Sequence, residues 1–411
     1  MLMTRHSRYL QIGVAVLVLI SPATMASGFR IPEASVYGMS SANAVVADTD
    51  SPGALAYNPA AMGFHSGTSF VAGMTTVDPD ITVTTASGQF GSDVDAPFYI
   101  PNLVFAGQLG SGISAGIIIN SPFGLETNWP DETFPAFAGP FDALEPSRSK
   151  LEMANFNPNI AILLAPDTSL AIGFDYYWVK SVRLDTAGVK ISGNGDGVGL
   201  NVAFLHRMAS DWSVGLSWRS RVTTEIDGTV SASGISAPAT TEISFPAMLQ
   251  VGVRSQVTPT LEIEFDVEHT DWSSFNVLSV SHTHPGLPTP ITSTNVWKDS
   301  LAFRIGGSLD LGPSTELRFG YTTDKAPNLD THFSARVPDS DRQLFSVGVG
   351  QEIGGNWTVE AGYTYVLWED RNFGTGVPFG TFGTDPSGTN AVNGNYEADA
   401  HLFGLGVNGN F

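Results

Sequence analysis

Few residues in this chain are typed and spaced for chemistry. His282-Thr283-His284 sets two imidazoles on one face of an extended segment, which could begin a metal site. No third ligand stands near them and Pro285 ends the run, so the pair reads as part of a solvated loop. Asp48-Thr49-Asp50 with Gly53 opens like a calcium-binding loop, but the twelfth position is Pro59, which has no ligating side chain. Gly193-Asn194-Gly195-Asp196-Gly197 has the composition of one calcium-binding solenoid repeat, yet it occurs once and reads as a flexible loop tip. A hydrolase would need Ser and His with an orienting Asn or Asp, and none of the 8 histidines shares a strand with such a partner. The expectation is a protein that is not an enzyme and that carries no cofactor and no metal.

What remains is apolar. The segment 122–150 holds Phe123, Leu125, Trp129, Phe134, Phe137, Phe141 and Leu144 between two strand-like stretches. Apolar clusters in a surface connection mark a binding surface, here for hydrophobic small molecules. A dry protein surface offers such a molecule about 25 cal/mol per Å² of apolar area withdrawn from water. The plainer alternative is that these rings pack the connection onto its own scaffold, and the two readings are compatible.

The scaffold that must position them alternates residue by residue. In Ser169–Trp178, Leu170, Ile172, Phe174, Tyr176 and Trp178 share one face of a strand, with Ser169, Ala171, Gly173, Asp175 and Tyr177 opposite. In 261–268 the apolar face is Leu261, Ile263, Phe265 and Val267, and the other is Glu262, Glu264, Asp266 and Glu268. Short turns recur evenly at Gly110-Ser111-Gly112, Pro166-Asp167-Thr168, Ser210-Asp211, Thr258-Pro259-Thr260, Gly312-Pro313-Ser314 and Gly354-Gly355-Asn356. Long connections run over 81–96, 122–150, 185–197, 224–245, 272–299, 323–342 and 369–398. Six short turns, seven long connections and both termini on the short-turn side make fourteen strands, the even number of a closed bacterial outer-membrane barrel. The last strand ends on Phe411, as outer-membrane proteins recognised by the barrel assembly machinery do.

Arg5 and Arg8 precede the apolar run Ile12–Ile20, and small residues surround Ala26, so 1–26 reads as a cleaved secretory leader. No later stretch is apolar for the ~20 residues that a membrane helix needs. With 40 acidic against 19 basic residues the formal charge is −21, which repels nucleic acid. The chain has no cysteine. Residues 27–65 break the alternation and are too apolar for a disordered tail, so they are expected to fold as a plug inside a barrel formed by 66–411.

Gly28-Phe29 at the expected mature N-terminus, a small-residue segment ending in Asn58-Pro59-Ala60, and then fourteen strands resemble the FadL family of outer-membrane transporters (the OMPP1/FadL/TodX type). Phe123-Gly124-Leu125-Glu126-Thr127, Trp218-Arg219-Ser220, Phe245-Pro246, Trp272-Ser273, Trp297-Lys298-Asp299 and Val337-Pro338-Asp339-Ser340-Asp341-Arg342 extend the resemblance through the whole mature chain. It implies an N-terminal hatch and passive uptake of long-chain fatty acids or, alternatively, hydrocarbons. Loops capture the molecule, a pocket touched by the hatch holds it, and it leaves sideways into outer-membrane lipid past a kinked strand. By the same resemblance Phe29 lies nearest the pocket and Asn58-Pro59-Ala60 anchors the hatch. Two departures stand out. The 185–197 connection is short where fatty acid transporters carry a long insertion, and 292–295 lacks the basic residue that would meet a carboxylate. Lys180, Arg183, Lys298 and Arg304 are the substitutes available. A general diffusion porin, the rival reading, would lack the plug.

Overall fold

The computed structural model describes residues 28–209, 211–380 and 385–411. The expected leader and its cleavage site lie outside them, as does Ser210 of one expected turn.

Alternating sequence becomes fourteen antiparallel strands. They are β1 (Thr68–Thr85), β2 (Phe98–Gly110), β3 (Ile113–Asn120), β4 (Pro146–Ala165) and β5 (Thr168–Thr186). β6 (Val189–Ala209), β7 (Trp212–Arg219), β8 (Met248–Thr258), β9 (Leu261–Thr270) and β10 (Ser300–Gly312) follow. β11 (Thr315–Asp324), β12 (Arg342–Glu352), β13 (Trp357–Trp368) and β14 (Gly394–Asn410) complete the set. Each pairs with its neighbour, and β14 returns to β1 from Ser69↔Asn410 to Thr84↔Asn395, closing the barrel. Thr68 and Phe411 exchange two backbone hydrogen bonds of 2.8 Å beside the short turns, so both ends of the barrel lie on that side.

Polarity is reversed relative to a soluble core. On β5, Leu170, Ile172, Phe174 and Trp178 are exposed, while Ser169, Asp175 and Tyr177 are buried. On β9, Phe265 is exposed and Glu264, Asp266 and Glu268 are buried. An apolar outer band around a polar lumen is the signature of a lipid-facing barrel.

Two connections differ from their expectation. β4, β5 and β6 run 20, 19 and 21 residues, about twice the length that crosses a bilayer, so their far halves stand clear of it. The 185–197 region is therefore a tight turn and strand, and Gly193–Gly197 is not a loop tip. The 224–245 connection is a hairpin, Val222–Ala232 with Ile235–Phe245, laid against β6 from Glu225↔Asp196 to Ala232↔Val189. A Cβ on Gly195 would stand 1.8 Å from the carbonyl oxygen of Glu225, so the glycine is what lets the hairpin approach.

Residues 28–64 fill the lumen. A one-turn helix, Val36–Ser40, starts at Ser35, whose Oγ accepts from the Gly38 N–H at 3.0 Å. Two 3₁₀ turns follow, Pro52–Ala56 and Pro59–Gly63. Asn58 accepts from the Ala60 N–H (3.1 Å) and donates to the carbonyls of Val46 (2.6 Å) and Phe204 (3.1 Å), tying one turn to its neighbour and to β6. The acidic face of β9 grips the same body. Glu264 accepts from the Ala47 N–H at 2.6 Å and Asp266 from the Val46 N–H at 3.3 Å. Arg254 of β8 stands 3.3 Å from Glu264 and 3.6 Å from Asp48. Buried charges require such pairing, since desolvating one alone is far costlier than any contact it gains.

Candidate functional site: a cavity through the barrel wall

Over Phe98–Asn102, β2 is paired on one side only. Toward β1 the ladder runs from Phe98↔Val77 to Gly107↔Thr68, but toward β3 it begins at Leu103↔Ile119. Past Asn120 the chain leaves the wall. Pro122 and Phe123 turn inward, and Gly124–Asn128 rejoins the sheet on β4 as Gly124↔Glu152 to Asn128↔Arg148. The hatch takes up the backbone groups this frees: Ile31 N–H donates to Pro122 O (2.9 Å), Gly124 N–H donates to Phe29 O (3.0 Å), and Arg30 bridges Phe123. Gly124 permits the contact, because a Cβ there would meet Ile31 Cδ1 at 2.7 Å. The diverted strand thus pairs with the plug instead of with β2.

A cavity of about 600 Å³ occupies the gap. Its inner end is formed by Phe29, Ile31 and Phe123, and its walls include Leu125, Leu151, Met153 and Leu344. At the outer end stands Tyr99 of β2, 65% exposed on the lipid-facing side of the barrel. The lining thus runs from the hatch in the lumen to a residue on the outer face of the barrel.

Phe29 itself is held in an aromatic box. Its ring centroid lies 4.7 Å from Trp272, 5.3 Å from Phe275, 5.6 Å from Trp297, 6.0 Å from Phe123 and 6.4 Å from Phe245. Most of these pairs are edge-to-face, the arrangement that the ring quadrupole favours. Gly28, at φ +60, leaves no space for a side chain: a Cβ would fall 2.7 Å from Trp297. Its N–H donates to Asp339 Oδ2 at 2.8 Å, and burial pushes that carboxyl up to about 7.

Of the residues expected from sequence, Phe29, Phe123 and Leu125 line this cavity. Trp129, Phe134 and Phe137 lie elsewhere, buried in a second cluster with Val83, Phe333, Phe373 and Tyr396, against which Phe141 is partly packed. Trp129 Nε1 donates to Ala335 O at 2.8 Å there. Below them Arg336 donates to Ser149 Oγ (3.1 Å) and the Asp185 carbonyl (2.9 Å), and burial lowers its guanidinium to about 10. These rings form a cap over the end of the barrel that carries the long connections. Gly28 belongs to the cavity, while Asn58, Pro59 and Ala60 sit in the body of the hatch. Trp272, Phe275, Trp297 and Phe245 were not in the expected set. Three of them stand in stretches matched to the family, but nothing in a linear pattern shows that rings from three connections, 122–150, 224–245 and 272–299, converge on Phe29.

The other candidates resolve into structure. His282 and His284 are buried instead of solvated, their Nε2 atoms meeting the carbonyls of Pro288 (2.9 Å) and Ala232 (3.2 Å). Asp48 closes a turn by accepting from the N–H groups of Asp50 (2.8 Å) and Ser51 (3.1 Å).

Residues 17–411 match the family model described as outer membrane protein transport protein (OMPP1/FadL/TodX). The chain belongs to this family. It is 24% identical over 462 residues to a long-chain fatty acid transport protein of Escherichia coli O6:H1, covering 99% of each chain. To outer membrane protein P1 of Haemophilus influenzae it is 23% identical, over 96% of this chain and 97% of that one. Among solved structures, a Pseudomonas aeruginosa FadL homologue superposes with a TM-score of 0.80 at 15% identity, covering 94% of this chain and 100% of that one. The Ralstonia pickettii toluene transporter TbuX gives 0.70 at 16% identity, over 92% and 98%. Membership of this family makes the chain an outer-membrane protein.

Proposed function

We propose that the protein takes up hydrophobic molecules passively, from an extracellular apolar cap, through the cavity beside Phe29, and sideways into the membrane. The edge of β2 left unpaired over Phe98–Asn102, beside which the cavity lies, supports this reading. A solute that partitions into that space never has to cross the plugged bore, and it leaves into hydrocarbon, where its apolar surface is at no disadvantage. Uptake needs no reaction and no cofactor, so the protein works as a channel and not as an enzyme. The outer-membrane lipid is the receiving phase. Phe411, directly after the last strand and beside Trp357 with ring centroids 4.7 Å apart, is the proposed handle for the assembly machinery.

The relatives named for long-chain fatty acid transport and the neighbour named for toluene set the range of cargo. Phe141, partly exposed at the edge of the cap, would make first contact, with Trp129, Phe134 and Phe137 buried behind it, and Phe29, Phe123 and Leu125 would hold the molecule before release. The test is uptake of a labelled apolar solute into proteoliposomes. Leu151→Glu, which sets a charge in the cavity wall, is expected to cut uptake about tenfold. Wild-type uptake by a folded Leu151→Glu barrel would remove the cavity from the route.

A further inference from the structure

Fatty acids are anions and hydrocarbons are neutral, so the charges of the cavity wall discriminate between the two cargo classes. Among the described residues three cations line it, Arg30, Lys150 and Arg342. Each is already engaged by carboxylates. Arg30 pairs with Glu268, which Arg304 also reaches at 3.3 Å. Arg342 stands 3.0 Å from Asp324, and its Nη2 also reaches the Arg30 carbonyl at 3.4 Å. Lys150 lies 3.3 Å from Glu126 and 3.6 Å from Glu152, and Glu152 is further held by Lys180 at 2.6 Å. Four carboxylates line the same space: Glu33, Asp95, Glu126 and Glu152.

An entering carboxylate would have to shed water and then compete for cations that protein carboxylates already hold, with no spare positive charge among the described residues of the wall. The penalty is that of an unpaired charge in a partly dry site. A neutral molecule meets only the apolar wall and leaves the ion pairs intact. We infer that the cavity selects uncharged hydrophobic molecules against carboxylates of the same length, and that Asp324, by holding Arg342, is a specificity-determining residue although it does not line the space. The inference rests on the proposed uptake route and narrows its cargo.

The measurement is tryptophan-fluorescence titration of the full-length protein in detergent at pH 8, with decanoate and with methyl decanoate. In the wild type the ester is expected to bind at least about tenfold more tightly than the acid. Asp324→Asn takes away the carboxylate paired with Arg342, leaving only the more distant Asp339 and Glu33, and should move the ratio of the two affinities toward the acid by about tenfold, in a barrel that keeps its heat-modifiable gel mobility. Decanoate binding as well as the ester to the wild type overturns the inference, and so does a folded Asp324→Asn barrel with an unmoved ratio. If Asp324→Asn does not fold, the wild-type comparison decides alone. Failure of both probes to bind the wild type would instead overturn the uptake site itself.

Discussion

The two ends of the hatch are held differently. Its body, residues 43–64, packs Leu55, Ala60 and Met62 against the barrel wall and adds charge and amide bonds that the arm mostly lacks: Glu264 and Asp266 on backbone N–H groups, Arg254 between Asp48 and Glu264, Asn58 on two carbonyls. Its arm, residues 28–32, is held mainly by aromatic faces around Phe29, with two backbone bonds to the diverted strand, one from Gly28 to Asp339, and the Arg30–Glu268 pair. A hydrophobic solute has nothing to offer a carboxylate ladder, but it can replace apolar contacts one for one. The difference assigns blocking to the body and exchange with cargo to the arm.

The comparison breaks most visibly if the plug is removed altogether. Deleting residues 28–65 should raise single-channel conductance in planar bilayers about tenfold, because the lumen of a fourteen-strand barrel is otherwise filled. An unchanged conductance would mean that the body does not block. The double substitution Glu264→Gln/Asp266→Asn attacks the body alone. It should lower the thermal midpoint of the plugged state and bring on intermittent conductance, consistent with the ~3–5 kcal/mol lost when one partner of a buried ion pair is removed.

Phe29→Ala attacks the arm alone and should weaken binding of an apolar probe about tenfold, with gel mobility and conductance unchanged. Equal affinity would take Phe29 out of the site. The smallest effect concerns Asp339. Its Oδ2 accepts from the Gly28 N–H at 2.8 Å. Asp339→Asn puts a neutral amide in place of the carboxyl, and amide exchange of residues 28–32 should speed up by no more than about threefold, consistent with a single hydrogen bond. Unchanged exchange would mean that this bond does not hold the arm.

The architecture could be read from the sequence because a period of two leaves only the question of which face is wet. The row Glu262, Glu264, Asp266, Glu268 answered it for β9, and the short turns marked the strands in order. Residues 185–197 and 224–245 were misread as loops because their glycines and polar residues look like turn chemistry. In the structure those glycines admit a close hairpin. The breach was hidden for a related reason: Pro122 marks the end of a strand equally well whether the chain leaves the sheet for the surface or for the lumen. Phe29 was found through the family motif, but its box was not, since its members come from connections far apart in the chain.

The half-paired β2 has a consequence for how such barrels live side by side. A strand edge open toward a membrane is an invitation to another chain, and hydrocarbon makes an unmet amide costly. Within the stretch Phe98–Asn102 that faces the breach, Pro101 has no N–H to give, so the ladder a neighbouring strand would need is interrupted at its centre. The doorway is kept from being sewn shut by the missing hydrogen of one proline.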